Sequence, residues 1–183
     1  MIEEYRFHGR GGQGAVTAAR LLVGAAHREG RYGQAFPHFG AERRGAPVVA
    51  FARISDRPIR VHEQVREPDV VVVLDPTLFK LVNVLEGLRE GGVLVVNSKE
   101  DPGIQGPYKV FIVDATGIAL SLGLRVAGWP VVNTSILGAV VKATGSVSLD
   151  SVVDEIKSNW PGRMGEANAQ AAKLAYEKAV RVR

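Results

Sequence analysis

Tyr5-Arg6-Phe7-His8-Gly9-Arg10-Gly11-Gly12-Gln13-Gly14, followed by the segment from Ala15 to about Glu29, is the stretch on which the fold is read. Tyr5 to His8 alternates and runs into glycines, which predicts a first strand. In the segment that follows, Val16, Ala19, Leu22, Val23 and Ala26 fall on one face of a 3.6-residue period, which predicts a helix closed by Gly30. A strand, a glycine loop and a helix in that order form the opening of a βα unit.

Further along, Val48 to Ile54 alternates as a strand does, and Val70-Val71-Val72-Val73-Leu74 is continuously apolar, the mark of a parallel strand buried on both faces. Asp75 can cap a helix and Pro76 suits its first position. Leu78, Leu81, Val82, Leu85 and Leu88 then predict a helix ended by Gly91-Gly92, ahead of a strand at Val93–Val96. Another strand is expected at Val110–Val113, and helices at 133–144, 151–159 and 165–181. Without repeats or linker-like tracts, residues 1–183 read as one domain. The alternation predicts an α/β fold, Rossmann-like, with a mostly parallel sheet and helices on both faces.

Of the 183 residues 46% are hydrophobic, enough for one core that needs no disulfide or structural metal. Cysteine is absent, which excludes disulfides, thiolate nucleophiles and iron–sulfur clusters held by this chain's own thiolates. The four histidines, His8, His27, His38 and His62, lack ligand spacing, so no metal site is expected. A net charge of +4 suits anionic ligands or an acidic partner subunit. No apolar run approaches the roughly 20 residues of a membrane span, and Met1 leads into Glu3 and Glu4 rather than a signal sequence, so a cytoplasmic protein without membrane contact is expected. Lysine and arginine are spread along the chain without a nucleic-acid motif, so no nucleic-acid partner is expected.

Gly9-Arg10-Gly11-Gly12-Gln13-Gly14 satisfies G-x-G-x-x-G. Between a strand and a helix, such glycines permit a tight turn, and free N–H groups at a helix start favour a phosphate. Arg10 can add a charged contact. The same glycines also suit plain strand–helix packing, and both readings stand. The dinucleotide version requires an acidic residue about 20 positions on; the segment Arg31 to Phe39 has none. A free-standing NAD(P)-binding oxidoreductase of Rossmann type is therefore the alternative rather than the first reading. In Glu42-Arg43-Arg44, paired guanidinium forks can receive carboxylate or phosphate with Glu42 orienting one of them, although an ordinary solvated loop explains the cluster too. Asn133 and Thr134 can cap a helix aimed at a ligand, or simply cap it. Trp129 reads equally as an interface anchor or as core. No GxSxG elbow, GxxxxGK[ST] loop or thiamine-diphosphate segment is present, and no catalytic residue is assigned. A non-enzymatic role alone, or a subunit role within a larger enzyme, is the natural reading.

Three segments, His8 to Gly14, Tyr32-Gly-Gln-Ala-Phe-Pro37 with Phe39-Gly-Ala-Glu-Arg-Arg-Gly-Ala-Pro47, and Val132-Asn-Thr-Ser-Ile-Leu-Gly138, together resemble the gamma subunit of 2-oxoacid:ferredoxin oxidoreductases over nearly the whole chain. Ala41 stands where that family commonly has proline. The resemblance implies a multi-subunit enzyme that oxidatively decarboxylates a 2-oxoacid to acyl-CoA and CO2 and passes electrons to ferredoxin, and a chain inactive alone. It further implies alpha, beta and delta partners that carry thiamine diphosphate, magnesium and 4Fe-4S clusters. No cofactor is expected on this chain by itself, apart from contact with coenzyme A, whose phosphates suit Arg10, Arg43 and Arg44. His8 with Arg10, and Glu42 with its arginines, resemble the pyruvate-type members most, with branched-chain 2-oxoacids next.

Overall fold

The computed structural model describes residues 1–38 and 43–183. Along these the chain forms β1 (Ile2–Arg10), α1 (Ala15–Arg28), β2 (Tyr32–Pro37), β3 (Pro47–Ser55), β4 (Val70–Val73), a 3-10 helix η1 (Pro76–Lys80), β5 (Val93–Asn97) and β6 (Lys109–Val113). It continues through α2 (Ala115–Ser121), β7 (Arg125–Val126), β8 (Trp129–Pro130), α3 (Asn133–Thr144), α4 (Leu149–Asn159), α5 (Arg163–Lys178) and β9 (Val180–Arg181). The main sheet has the order β2-β3-β1-β4-β5-β6-β9. Its centre, β1-β4-β5-β6, is parallel; β3 runs antiparallel to both β1 and β2, and β9 is antiparallel to β6. Strand directions therefore agree in all but β3 and β9, which is the mostly parallel α/β sheet expected.

Alternation through β4 divides the core in two. Val70 and Val72 belong to the core cluster that includes α1, α2, α3, α4 and α5, while Val71 and Val73 face Leu78, Val84 and Leu88. All five α-helices thus lie on one face. The other face is covered as expected, but by η1 and the turns after it. The helix anticipated from Leu78 to Leu88 stops at Lys80, and Leu81 is 56% exposed.

The cause lies in β1. Arg6 is buried beneath this segment and donates to the carbonyl oxygens of Val84 and Glu86, which bend toward the guanidinium and satisfy it in a run of turns. Gly87 adopts φ +71°, and a Cβ there would lie 2.0 Å from the Arg66 carbonyl oxygen. Satisfying a buried guanidinium outweighs the helical period.

Arg6 Nε also donates to His8 Nε2 at 2.9 Å, which leaves the imidazole proton on Nδ1. Burial, and secondarily the Arg6 charge, lower the His8 pKa to about 3. An unfolded histidine titrates near pH 6.5, so between these values the unfolded chain holds the extra proton. The stability His8 contributes is thus complete above about pH 6.5 and is lost as pH falls toward 3. His8→Gln, which keeps an acceptor for Arg6, is expected to remove about one proton's slope, roughly 1.4 kcal/mol per pH unit, from the stability profile across that window. Urea titrations of wild type and variant at several pH values check this; parallel profiles would refute it.

α3 is buried nearly all round, between the sheet and α5. Gly138 lets α5 approach so closely that a Cβ would stand 1.9 Å from the Ala172 carbonyl oxygen, and α5 answers with Ala169, Ala171, Ala172 and Ala175. The final helix ends at Lys178 rather than 181, because Val180 and Arg181 pair with β6. β2, α2 and the β7–β8 hairpin were not anticipated. Tyr32-Gly-Gln-Ala-Phe-Pro37 has little strand propensity and is extended because it pairs with β3 at the sheet edge, the place where proline is tolerated. Among the described residues no helix is long and apolar enough to cross a membrane.

Candidate functional site

β1 leaves through α1 toward β2 and β3 on one side, while β4, on its other side, leads away to β5 and β6. The carboxyl ends of β1 and β4 therefore frame the crevice where the winding changes direction, the usual place for ligands in open α/β sheets. A cavity of about 670 Å³ opens there, within the usual range for small-molecule sites of roughly 300–1,000 Å³.

One wall is the glycine loop. Gly12 and Gly14 take φ +94° and +80°, which supports the turn reading of the motif. Gly11 N donates to Ala46 O at 2.8 Å and Gly45 N to Gly11 O at 3.1 Å, so the loop lies against the Arg43–Ala46 segment in a parallel bridge between Gly11 and Arg44. A Cβ on Gly11 would be 2.2 Å from the Arg43 carbonyl oxygen. Close approach of two backbones is what this glycine provides. Gln13 turns inward, its Oε1 accepting from Arg10 N at 2.7 Å.

Arg10 ties the wall together. Its Nε is 2.9 Å from Asp75 Oδ2, and its terminal nitrogens donate to Gly45 O at 2.8 Å and Thr77 Oγ1 at 2.7 Å. Asp75 also accepts from Thr77 N and Thr77 Oγ1, so it caps η1 as the sequence suggested. Burial acts against its carboxylate, but the Thr77 hydrogen bonds and Arg10 prevail and hold its pKa below the usual range. With much of its charge met by Asp75, Arg10 holds the loop in place more than it offers itself to a ligand. Arg43 and Arg44 are exposed beside it, and Arg44 lines the cavity.

Gly9 is the last residue but one of β1, behind the loop, and a Cβ there would meet only ordinary contacts of 3.4 Å or more, so space does not demand glycine. Gly14 packs on Asn133, whose Nδ2 would be 2.5 Å from an added Cβ. Asn133 and Thr134 do not reach the cavity. The cap of α3 is Val132, Asn133 Oδ1 accepts from Thr134 N, and Thr134 Oγ1 donates to Asn168 Oδ1 at 2.7 Å. These buried groups join α3 to the glycine loop and to α5. Glu42 lies outside the described residues. Asp75, Thr77, Thr116 and the β7–β8 hairpin went unrecognised as site residues. Asp75-Pro76-Thr77 carried a capping signal that concealed its second role. Trp129 is not core, being 68% exposed at the cavity mouth.

A cavity at the winding switch of an open α/β sheet, walled by a glycine loop locked against an arginine segment, is the arrangement that the described residues present. The family model for pyruvate ferredoxin/flavodoxin oxidoreductase matches residues 4–178, and the chain belongs to that family. It is 55% identical over 183 residues to the pyruvate/ketoisovalerate oxidoreductases common subunit gamma of Thermococcus kodakarensis, covering 97% of each chain. It is 54% identical to the pyruvate synthase subunit PorC of Methanothermobacter thermautotrophicus, covering 98% of this chain and 97% of that one. The crystal structure of pyruvate oxidoreductase subunit PORC from Thermotoga maritima superposes with a TM-score of 0.85 at 41% identity, covering 100% of this chain and 99% of that one. The chain is a gamma-type subunit of a multi-subunit 2-oxoacid:ferredoxin oxidoreductase.

Proposed function

We propose that this subunit holds the phosphate-bearing end of coenzyme A at the crevice between β1 and β4, while partner subunits carry out the redox chemistry. One observation carries the reading: the glycine loop and the Arg43–Arg44 segment are locked side by side at the mouth of the cavity. Arg43 and Arg44 supply planar cationic donors for phosphate. The Gly12 amide and the first amides of α1, which precede the first helical hydrogen bond from Ala18 N to Gly14 O, supply neutral donors. Arg10 and Gln13 keep this wall rigid, and Glu42 completes the charged segment.

The partners in this reading are alpha, beta and delta subunits in the cytoplasm, with ferredoxin as electron acceptor. Thiamine diphosphate, magnesium and 4Fe-4S clusters belong to those subunits. This chain has no thiolate for a cluster, and among the described residues no three histidine or carboxylate side chains gather as metal ligands. The 2-oxoacid is pyruvate first and a branched-chain analogue second, selected by residues of the partners.

The NAD(P) alternative loses its geometry as well as its acidic residue. A dinucleotide fold puts its second strand directly beside the first, with a carboxylate at that strand's end. Here antiparallel β3 separates β2 from β1, so the end of β2 lies a full strand further from the loop.

Reversing charge in the assembled enzyme with Arg43→Glu and Arg44→Glu is expected to raise KM for coenzyme A by about tenfold or more, the loss of one or two charge-assisted contacts, and to leave KM for the 2-oxoacid unchanged. An unchanged KM for coenzyme A overturns the proposal.

A further inference from the structure

The β7–β8 hairpin turns on Ala127 and Gly128, with φ of +49° and +84°. Two-residue hairpins require such left-handed positions, but alanine there is strained by about 1 kcal/mol where glycine would not be. The turn sets Val126 directly opposite Trp129, so both side chains leave the same face of the ribbon. That face is not packed on the core: Val126 is 64% exposed and Trp129 68%. Yet both line the cavity whose other wall is the glycine loop and Arg44.

A rigid aromatic plane, paid for with backbone strain and left in water, therefore faces anion-binding groups across one cavity. Phosphate donors on one side and an open indole on the other match a ligand that carries phosphates next to a flat, weakly hydrated ring. Pro130 and Val132 continue the apolar wall beside Trp129 and offer no hydrogen bonds from their side chains, which suits a ring face rather than a sugar.

Resting on the coenzyme A reading above, we infer that Trp129 stacks the adenine ring of the ligand and makes this subunit the reader of the nucleotide end, leaving the pantetheine arm to extend toward the partners. Trp129 is a binding residue in this scheme and takes no part in bond making. It imposes a ranking: ligands with a purine bind, and fragments without one bind only through their phosphates.

The test uses the assembled oxidoreductase with Trp129→Ala and Trp129→Phe. The alanine variant is expected to raise KM for coenzyme A and the inhibition constant of adenosine 3′,5′-bisphosphate by about tenfold, the scale of one lost base stack. The inhibition constant of 4′-phosphopantetheine, which has no purine, should stay within about twofold. Phenylalanine should restore most of the loss, because a smaller ring still stacks. Equal effects on both fragments, or none on either, overturn the inference, as does a failure of Trp129→Ala chains to assemble with their partners on size exclusion, which would make the indole a subunit anchor. If Arg43→Glu with Arg44→Glu raises KM while Trp129→Ala does not, only the stacking role falls. If neither changes KM, the coenzyme A site itself falls.

Discussion

Gly138→Val is expected to lower the stability of the chain by about 3 kcal/mol, and its melting temperature by about 6–12 °C for a domain of this size. An added Cβ would lie 1.9 Å from the Ala172 carbonyl oxygen and 2.9 Å from Tyr176 N, both backbone atoms of α5. No side-chain rotation relieves contacts with backbone, so α5 must move away from α3 as a unit. That movement opens the alanine seam at Ala169, Ala172 and Ala175 and pulls on the Thr134–Asn168 hydrogen bond. Gly145→Ala is the control, because nothing lies within 4 Å of its added Cβ and its φ of +62° makes the cost one of backbone strain alone, about 1 kcal/mol. Thermal unfolding followed by circular dichroism separates the two. A Gly138→Val melting point within 2 °C of wild type, below even a 1 kcal/mol loss at this size, would show that the helices are not held as closely as described.

Gly11→Ala is expected to raise KM for coenzyme A in the assembled enzyme by about tenfold at a stability cost of about 1–2 kcal/mol. The new methyl would be 2.2 Å from the Arg43 carbonyl oxygen and 3.2 Å from Arg44 Cα, so the parallel bridge must separate and carry both arginines away from the loop. Gly12→Ala isolates the steric argument from the backbone one. Gly12 has open space around it and φ +94°, so alanine there strains the turn without pushing the arginine segment. Gly11→Ala should therefore exceed Gly12→Ala in its effect on KM, even though Gly12 has the less ordinary backbone. The reverse order would mean that the conformation of the loop, and not its contact with the arginine segment, shapes the site.

How much was legible from the residues depended on the range of the interactions involved. Val70–Val73 could be read correctly because a strand buried on both faces must be apolar at every position. The helix expected at 133–144 forms over those same residues and is buried from Asn133 to Val141. The helix over Leu78 to Leu88 failed although its period was good, since this segment is shaped instead by contacts to Arg6, about 80 positions earlier in the chain, and by the left-handed Gly87 packed against Arg66. Thr134 failed in another way. A threonine at a helix start suggests a cap, and only the placement of α5 shows its hydroxyl committed to Asn168. Trp129 was undecidable because core and surface tryptophans carry the same local signal.

By itself, the sequence determined the βα opening with its glycine turn, the apolar central strands, the absence of any thiolate chemistry, and the family, because these rest on short-range backbone preferences, on composition, and on the spacing of motifs. Tertiary structure alone decided that the α-helices of the described residues gather on one face, that antiparallel β3 comes between β1 and β2, that Arg10 answers to Asp75, and that Trp129 lines the same cavity as Arg44. Each of these joins residues far apart in the chain, and which distant groups meet is settled by packing the whole core and satisfying every buried charge at once.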